Sequence, residues 1–325
     1  MTDRGKVKCC IARVLVLTAG VLIGLTAQAQ AQKAQTLEPL KVALLPIPDV
    51  LPFHLAQAKG YFADEGISAQ GLPVFSSIDR DQLMQAGQLD AMLTELATTA
   101  NFNRDKVRVK IVCIARSPLA EYPLFRILAA PGSGIKSVPD LEGMSIGISK
   151  NTVIEYVTDR LLAANGLDPK KIVKKSVPVI PERYQLLLQG QIKAATLPEP
   201  LASSALASGA AQIIEDSAYP QYSISVISFS VAALKTKPEA VRAFVKAWDR
   251  AVADINAAPD TYRPLMLKKI RVPKNITQSF SIPLFPRSKV PDADQWADVM
   301  EWMISKGLLD KPLPYPESVT SEYLP

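Results

Sequence analysis

The sequence predicts an α/β chain of two lobes, the second inserted in the first and joined to it by two crossing segments. Three observations carry this. Short apolar runs alternate with helical patterns along the chain. Gln85-Ala-Gly-Gln-Leu-Asp-Ala91 resembles Leu188-Gln-Gly-Gln-Ile-Lys-Ala194 at an offset of 103 residues, each a helix end, a glycine stop and a buried strand. At nearly the same offset the opening strand at 41–45 matches one at 145–148, each followed by a loop and a helix.

The elements follow in order. Basic residues Arg4, Lys6, Lys8 and Arg13 precede an uncharged apolar run at 14–27, then Ala27-Gln-Ala-Gln-Ala31. That order is a secretory signal over 1–31, cut after Ala29 or Ala31. The run is short for a membrane span. A lipoprotein is unsupported, because Cys9 and Cys10 precede it. Strands are expected at 41–45, 91–94, 110–115, 125–129, 145–148, 194–197 and 223–231. Helices are expected at 52–59 (stopped by Gly60), 96–103, 152–165, 181–189, 200–208, 238–257 and 292–306. The divided lobe takes 38–123 plus 228–325 and the inserted lobe 124–227, so the helical C-terminal third returns to the first lobe. A ligand is expected between the lobes, at the C-terminal ends of the strands.

Composition narrows the function. The 325 residues are 48% hydrophobic and 21% charged, enough for two cored domains. Residues 1–31 carry four bases and one acid, leaving +3 of the formal +6 on the rest. With no Lys/Arg stripe, nucleic acid is excluded as a partner. After export Cys113 is the sole cysteine; it reads as a small buried hydrophobe in a strand. One histidine and no carboxylate or thiol cluster give no metal site, and no cofactor is expected.

A resemblance enters on Phe53-His-Leu-Ala-Gln-Ala-Lys-Gly-Tyr-Phe-Ala-Asp-Glu-Gly66, Gly87-Gln-Leu-Asp-Ala91, Asp140-Leu-Glu-Gly143, Glu199-Pro200 and the helix from Trp248 to Pro259. As a set these are similar to the nitrate/sulfonate/taurine type of periplasmic binding protein, which includes thiamine-pyrimidine binders. The resemblance runs from Lys41 to the C-terminus. It implies the type II bilobed fold, with two Rossmann-like lobes on a two-segment hinge. It also implies a periplasmic monomer that binds a small solute, performs no chemistry and delivers to an ABC permease and ATPase. The solute is sulfonate-, nitrate- or taurine-like, or a pyrimidine-like heterocycle. Enzymes on the same fold, and a sensor that presents its ligand to a receptor, are the alternatives.

Candidate ligand contacts lie on the loops after the strands. The stiff loop 46–54 ends in Phe53, suited to stacking on a flat ligand, and His54, which otherwise reads as a helix-surface histidine. Ser76 and Ser77 offer hydroxyls to a ligand or cap the next helix. Thr94 and Glu95 in one lobe match Thr196 and Glu199 in the other. The glutamates accept from a donor-rich ligand or satisfy helix amides, and the resemblance puts Glu199-Pro200 at the cleft. Arg116 ends a buried strand and pairs with a ligand oxyanion, or with Glu95 or Glu121. Ser149, Asn151 and Thr152 form an anion nest at a helix start or a plain cap. The free protein is expected to be open, with few contacts between lobes.

Overall fold

A computed structural model describes residues 37–325 apart from Ala120. The expected signal at 1–31 lies outside the described residues. The chain opens with β1 (Glu38–Leu44), α1 (Leu51–Lys59), β2 (Ile67–Pro73), α2 (Ser77–Gln85), β3 (Ala91–Glu95), α3 (Leu96–Asn103) and β4 (Val109–Arg116). It crosses to β5 (Phe125–Ala129), β6 (Ser145–Ile148), α4 (Val153–Ala164), β7 (Val173–Ser176), α5 (Ile180–Leu188), β8 (Ala194–Pro198), α6 (Leu201–Ala207) and β9 (Ala211–Glu215). It returns through β10 (Ser225–Ser230) to α7 (Pro238–Ala257), α8 (Arg263–Lys269) and α9 (Ala293–Ser305).

The two sheets share one plan, β2-β1-β3-β10-β4 and β7-β6-β8-β5-β9. In each, the fourth strand is the crossing strand and runs antiparallel to its neighbours. The other four are mutually parallel and point their C-terminal ends the same way. That common direction gathers the loops after β1, β3, β6 and β8 on the inner rims of the two sheets.

The 3.6-residue period of α7 places Val241, Phe244, Val245, Trp248, Val252 and Ile255 on one buried face against the first sheet's helices. Phe53, Phe62 and Phe244 stack into that core, with ring centroids 5.1 Å and 5.4 Å apart along the chain of contacts. Gly71 makes room for it. A Cβ there would stand 2.8 Å from Leu44 Cδ1 and 2.9 Å from Phe53 Cε1, closer than packing permits.

Two expectations are corrected. The C-terminal third does not pack wholly on the first sheet. One buried apolar cluster joins Leu96 and Ala100 of α3, Ile111 of β4, Ile146 of β6, Tyr156 of α4 and Trp296 and Met300 of α9. Helix α9 therefore spans both lobes. Nor are contacts between lobes few. Asn275 Nδ2 donates to Ser204 O (3.0 Å) and to Ser208 Oγ (3.1 Å), and Ser204 Oγ donates to Asn275 Oδ1 (2.8 Å). Asymmetric side chains outside the repeat make these links, so the repeat could not foretell them. No helix among the described residues is long and apolar enough to cross a membrane.

Candidate binding cleft

Between the inner rims lies a cavity of about 280 Å³ whose walls come from both lobes. Arg116, Ile276 and Phe280 face it from the first lobe; Arg126, Glu199 and Ser203 face it from the second. Arg116 closes β4 and Glu199 follows β8, so strand direction alone brings the two sequence-nominated residues together.

Arg116 is 2% exposed and held on two sides. Its Nη1 lies 3.4 Å from Asp49 Oδ2, and its Nη2 donates to Pro123 O at 2.8 Å. Ser225 Oγ donates to the other Asp49 oxygen at 2.6 Å. Arg116 Nε is buried with no partner among the described residues. The expected partners Glu95 and Glu121 give way to Asp49, which reaches β4 from the stiff loop after β1. Burial makes such a pair costly to half-remove.

Glu199 is also buried. Its Oε1 accepts from Arg126 Nε at 2.7 Å, and its Oε2 accepts from Ser203 N at 3.1 Å. The second bond satisfies an amide at the start of α6. Arg126 extends to Glu215 Oε2 at 2.7 Å and also meets Gln212 Oε1. Below the wall, Asp216 accepts from the amides of Leu124 and Phe125, both at 2.9 Å, where the chain first enters the second lobe. Burial pushes its carboxyl up to about 6, against the hydrogen bonds from the Leu124 and Phe125 amides.

Other nominated residues fall elsewhere. Phe53 is 0% exposed inside the first lobe's core, so it is packing and not a cleft wall. The helical period decides this, since α1 turns position 53 onto the sheet. His54 does not line the cavity. Its Nδ1 is buried without a partner among the described residues, and burial first, then Lys269, lowers its pKa to about 4. Ser76 caps α2, accepting from Asp79 N at 3.1 Å, and Ser77 is that helix's first residue. Thr94 is buried. Glu95 accepts from Thr98 Oγ1 at 2.7 Å and shares buried Arg80 with Asp81, the two carboxylates standing 3.4 Å and 2.8 Å from it. Ser149 Oγ accepts from Arg183 Nη1 at 2.9 Å. Asn151, at φ +60°, donates its amide to Glu155 Oε2 at 2.7 Å. Thr152 caps α4, accepting from Ile154 N at 3.2 Å. The nest is thus already filled by Glu155 and Thr152.

Arg126, Asp49, Ser203 and Phe280 were not singled out from the sequence. Asp49 lies inside the loop nominated as a whole. Arg126 interrupts an apolar strand, the one local signal that was available. Phe280 belongs to a C-terminal segment without periodicity, and only folding brings it to the cleft.

Comparison with known proteins agrees with this architecture. Riboflavin-binding protein RibY of Chloroflexus aurantiacus is 25% identical over 322 residues, covering 91% of this chain and 89% of RibY. The periplasmic aliphatic sulphonate binding protein SsuA of Escherichia coli superposes with a TM-score of 0.71 at 15% identity, over 87% of this chain and 92% of SsuA. The desulfurization enzyme DSZB superposes at 0.65 with 17% identity, over 88% of this chain and 97% of its own. At such identities the structural matches show the fold alone, and the fold serves both binders and an enzyme. A family model described as NMT1/THI5 like matches residues 47–262, from the loop after β1 through α7. Spanning most of both sheets and the long helix that packs on them, that match places the chain in the NMT1/THI5-like family.

Proposed function

We propose that this protein is the solute-binding component of an ABC-type importer, a periplasmic monomer that hands an unaltered small molecule to a membrane permease and its ATPase. The observation that supports this reading best is the cavity of about 280 Å³ with walls from both lobes. A site divided in this way is filled only when the lobes hold it together, so a solute stabilises the closed arrangement by its contacts to both. Asn275 and α6 make the rim contact that parts to admit it. Among the described residues the walls include no cysteine or histidine. Cys113 lies in β4, where burial pushes its thiol up to about 12.

Riboflavin is the first probe, given the RibY relative. Calorimetric titration of the purified protein is expected to show one saturable site. A solute at a hundredfold excess over its Kd should stabilise the fold by about 3 kcal/mol, read as a thermal shift across a solute library. Chemical conversion of the bound solute, or no stabilisation by any solute, would overturn the reading.

A further inference from the structure

We infer that the cavity admits an uncharged, hydrogen-bonding solute and excludes oxyanions, with Glu199 and Glu215 as the excluding residues. The inference rests on the cavity being the solute site. Two guanidiniums face it, those of Arg116 and Arg126, and an arginine pair at a cleft ordinarily suggests an anion. Here both are already matched. Asp49 stands on Arg116, while Arg126 is pinned between Glu199 and Glu215, each at 2.7 Å. Glu121 adds a further carboxylate to the wall. Four carboxylates therefore oppose two cations. Arg263, which braces the same segment, spends its guanidinium on the carbonyls of Phe280 and Thr277 and is not a wall residue.

Desolvation sharpens the effect. Arg116, Asp49 and Glu199 are buried, so water screens them little. An entering sulfonate, phosphate or carboxylate meets a surplus of negative charge and no unmatched cation. What the wall still offers is acceptor capacity, the unused lone pairs of the Glu199 oxygens, since Arg116 Nε lacks a partner among the described residues but is buried. A solute with an N–H or O–H directed at Glu199 meets that capacity without bringing charge. The cavity thus differs in kind from an oxyanion receptor built on the same fold.

The test titrates the full exported protein with riboflavin and uracil as uncharged probes, and with methanesulfonate, sulfate, nitrate and acetate at constant ionic strength. Wild type is expected to bind an uncharged probe and none of the anions. Glu199→Gln with Glu215→Gln keeps the shape and frees the Arg126 charge, so methanesulfonate affinity should rise by about tenfold or more. Glu215→Gln by itself, at a part-exposed position safe for folding, should gain about threefold and decides the matter if the double variant does not fold. Saturable anion binding by wild type in competition with an uncharged probe overturns the inference and leaves the receptor reading standing. A folded double variant with no gain removes Glu199 and Glu215 as the excluding residues. Binding of no probe of either kind overturns the inference, and the receptor reading falls with it when the solute library gives no stabilisation either.

Discussion

At the scale of single residues, the partner a side chain finds decides its role. Phe53 shows how the sequence misleads. A phenylalanine at the end of a proline-rich loop suits stacking on a ligand, yet one turn of α1 rotates it into the core beside Phe62 and Phe244. Phe53→Ala should therefore cost about 3–5 kcal/mol of stability, the range for emptying a large aromatic site. Urea unfolding measures it, and a loss below about 1 kcal/mol would return Phe53 to the surface. Glu95 and Glu199 show the opposite lesson. The repeat pairs them correctly after β3 and β8, but it does not reveal their tasks. Glu95 joins Asp81 on buried Arg80, whereas Glu199 turns to Arg126 at the cavity wall. At Arg183, the repeat partner of Arg80, no carboxylate follows. Its Nη1 donates instead to Ser149 Oγ and Val177 O, and burial lowers its pKa to about 10.

At the scale of elements, strands with buried side chains were legible and half-exposed edge strands were not. Ile111–Ala115 and Ala91–Leu93 read as apolar runs because both are buried: β3 lies inside its sheet, and β4, at the sheet's edge, is covered by C-terminal segments that meet it where Ile114 N donates to Lys289 O and Thr320 N to Ile111 O. Strands β2, β7 and β9 went unread. Each lies at a sheet edge, half exposed, and β7 is Val-Lys-Lys-Ser, whose Lys174 turns to Glu155 and Asp159 of α4. Helix α9 was legible as a helix, with its Asp292 capping box, but not as a bridge. Asp298 accepts from Tyr156 Oη at 2.6 Å and Arg160 Nε at 2.9 Å, and Lys306 meets Asp159 at 2.7 Å. These bonds tie α9 to α4 while its apolar face meets α3. Asp298→Ala strands two buried or half-buried donors and should cost about 1–3 kcal/mol. It should also enlarge the radius of gyration in small-angle scattering, and an unchanged envelope would mean that the apolar face of α9 holds the lobes unaided.

At the scale of the whole molecule, stability against pH reports two opposed groups. His54 has a folded pKa near 4, below its unfolded 6.5, so its contribution is complete above 6.5 and is lost as pH falls towards 4. Asp216 runs the other way. Its folded value near 6 exceeds its unfolded value, so its proton stabilises the fold as pH falls from about 6 to 4. In a thermal-unfolding series, His54→Gln should gain stability relative to wild type as pH drops from 6.5 to 4; parallel profiles would show that His54 does not titrate with folding. The same division separates what each level determines. Sequence by itself determined the α/β class and the internal repeat, and it nominated the strand ends that carry Arg116 and Glu199, which the fold brings to one cavity. Hydrophobic period and glycine stops are local, and strand direction carries the rest. Only the tertiary structure decided which charges cancel, that Asp49 and Glu215 stand behind the arginines, that Phe280 closes the wall and that α9 joins the lobes. Those facts depend on contacts between residues 60 to 180 positions apart, such as Arg116 with Asp49 and Ser225 with Asp49, which no local pattern encodes.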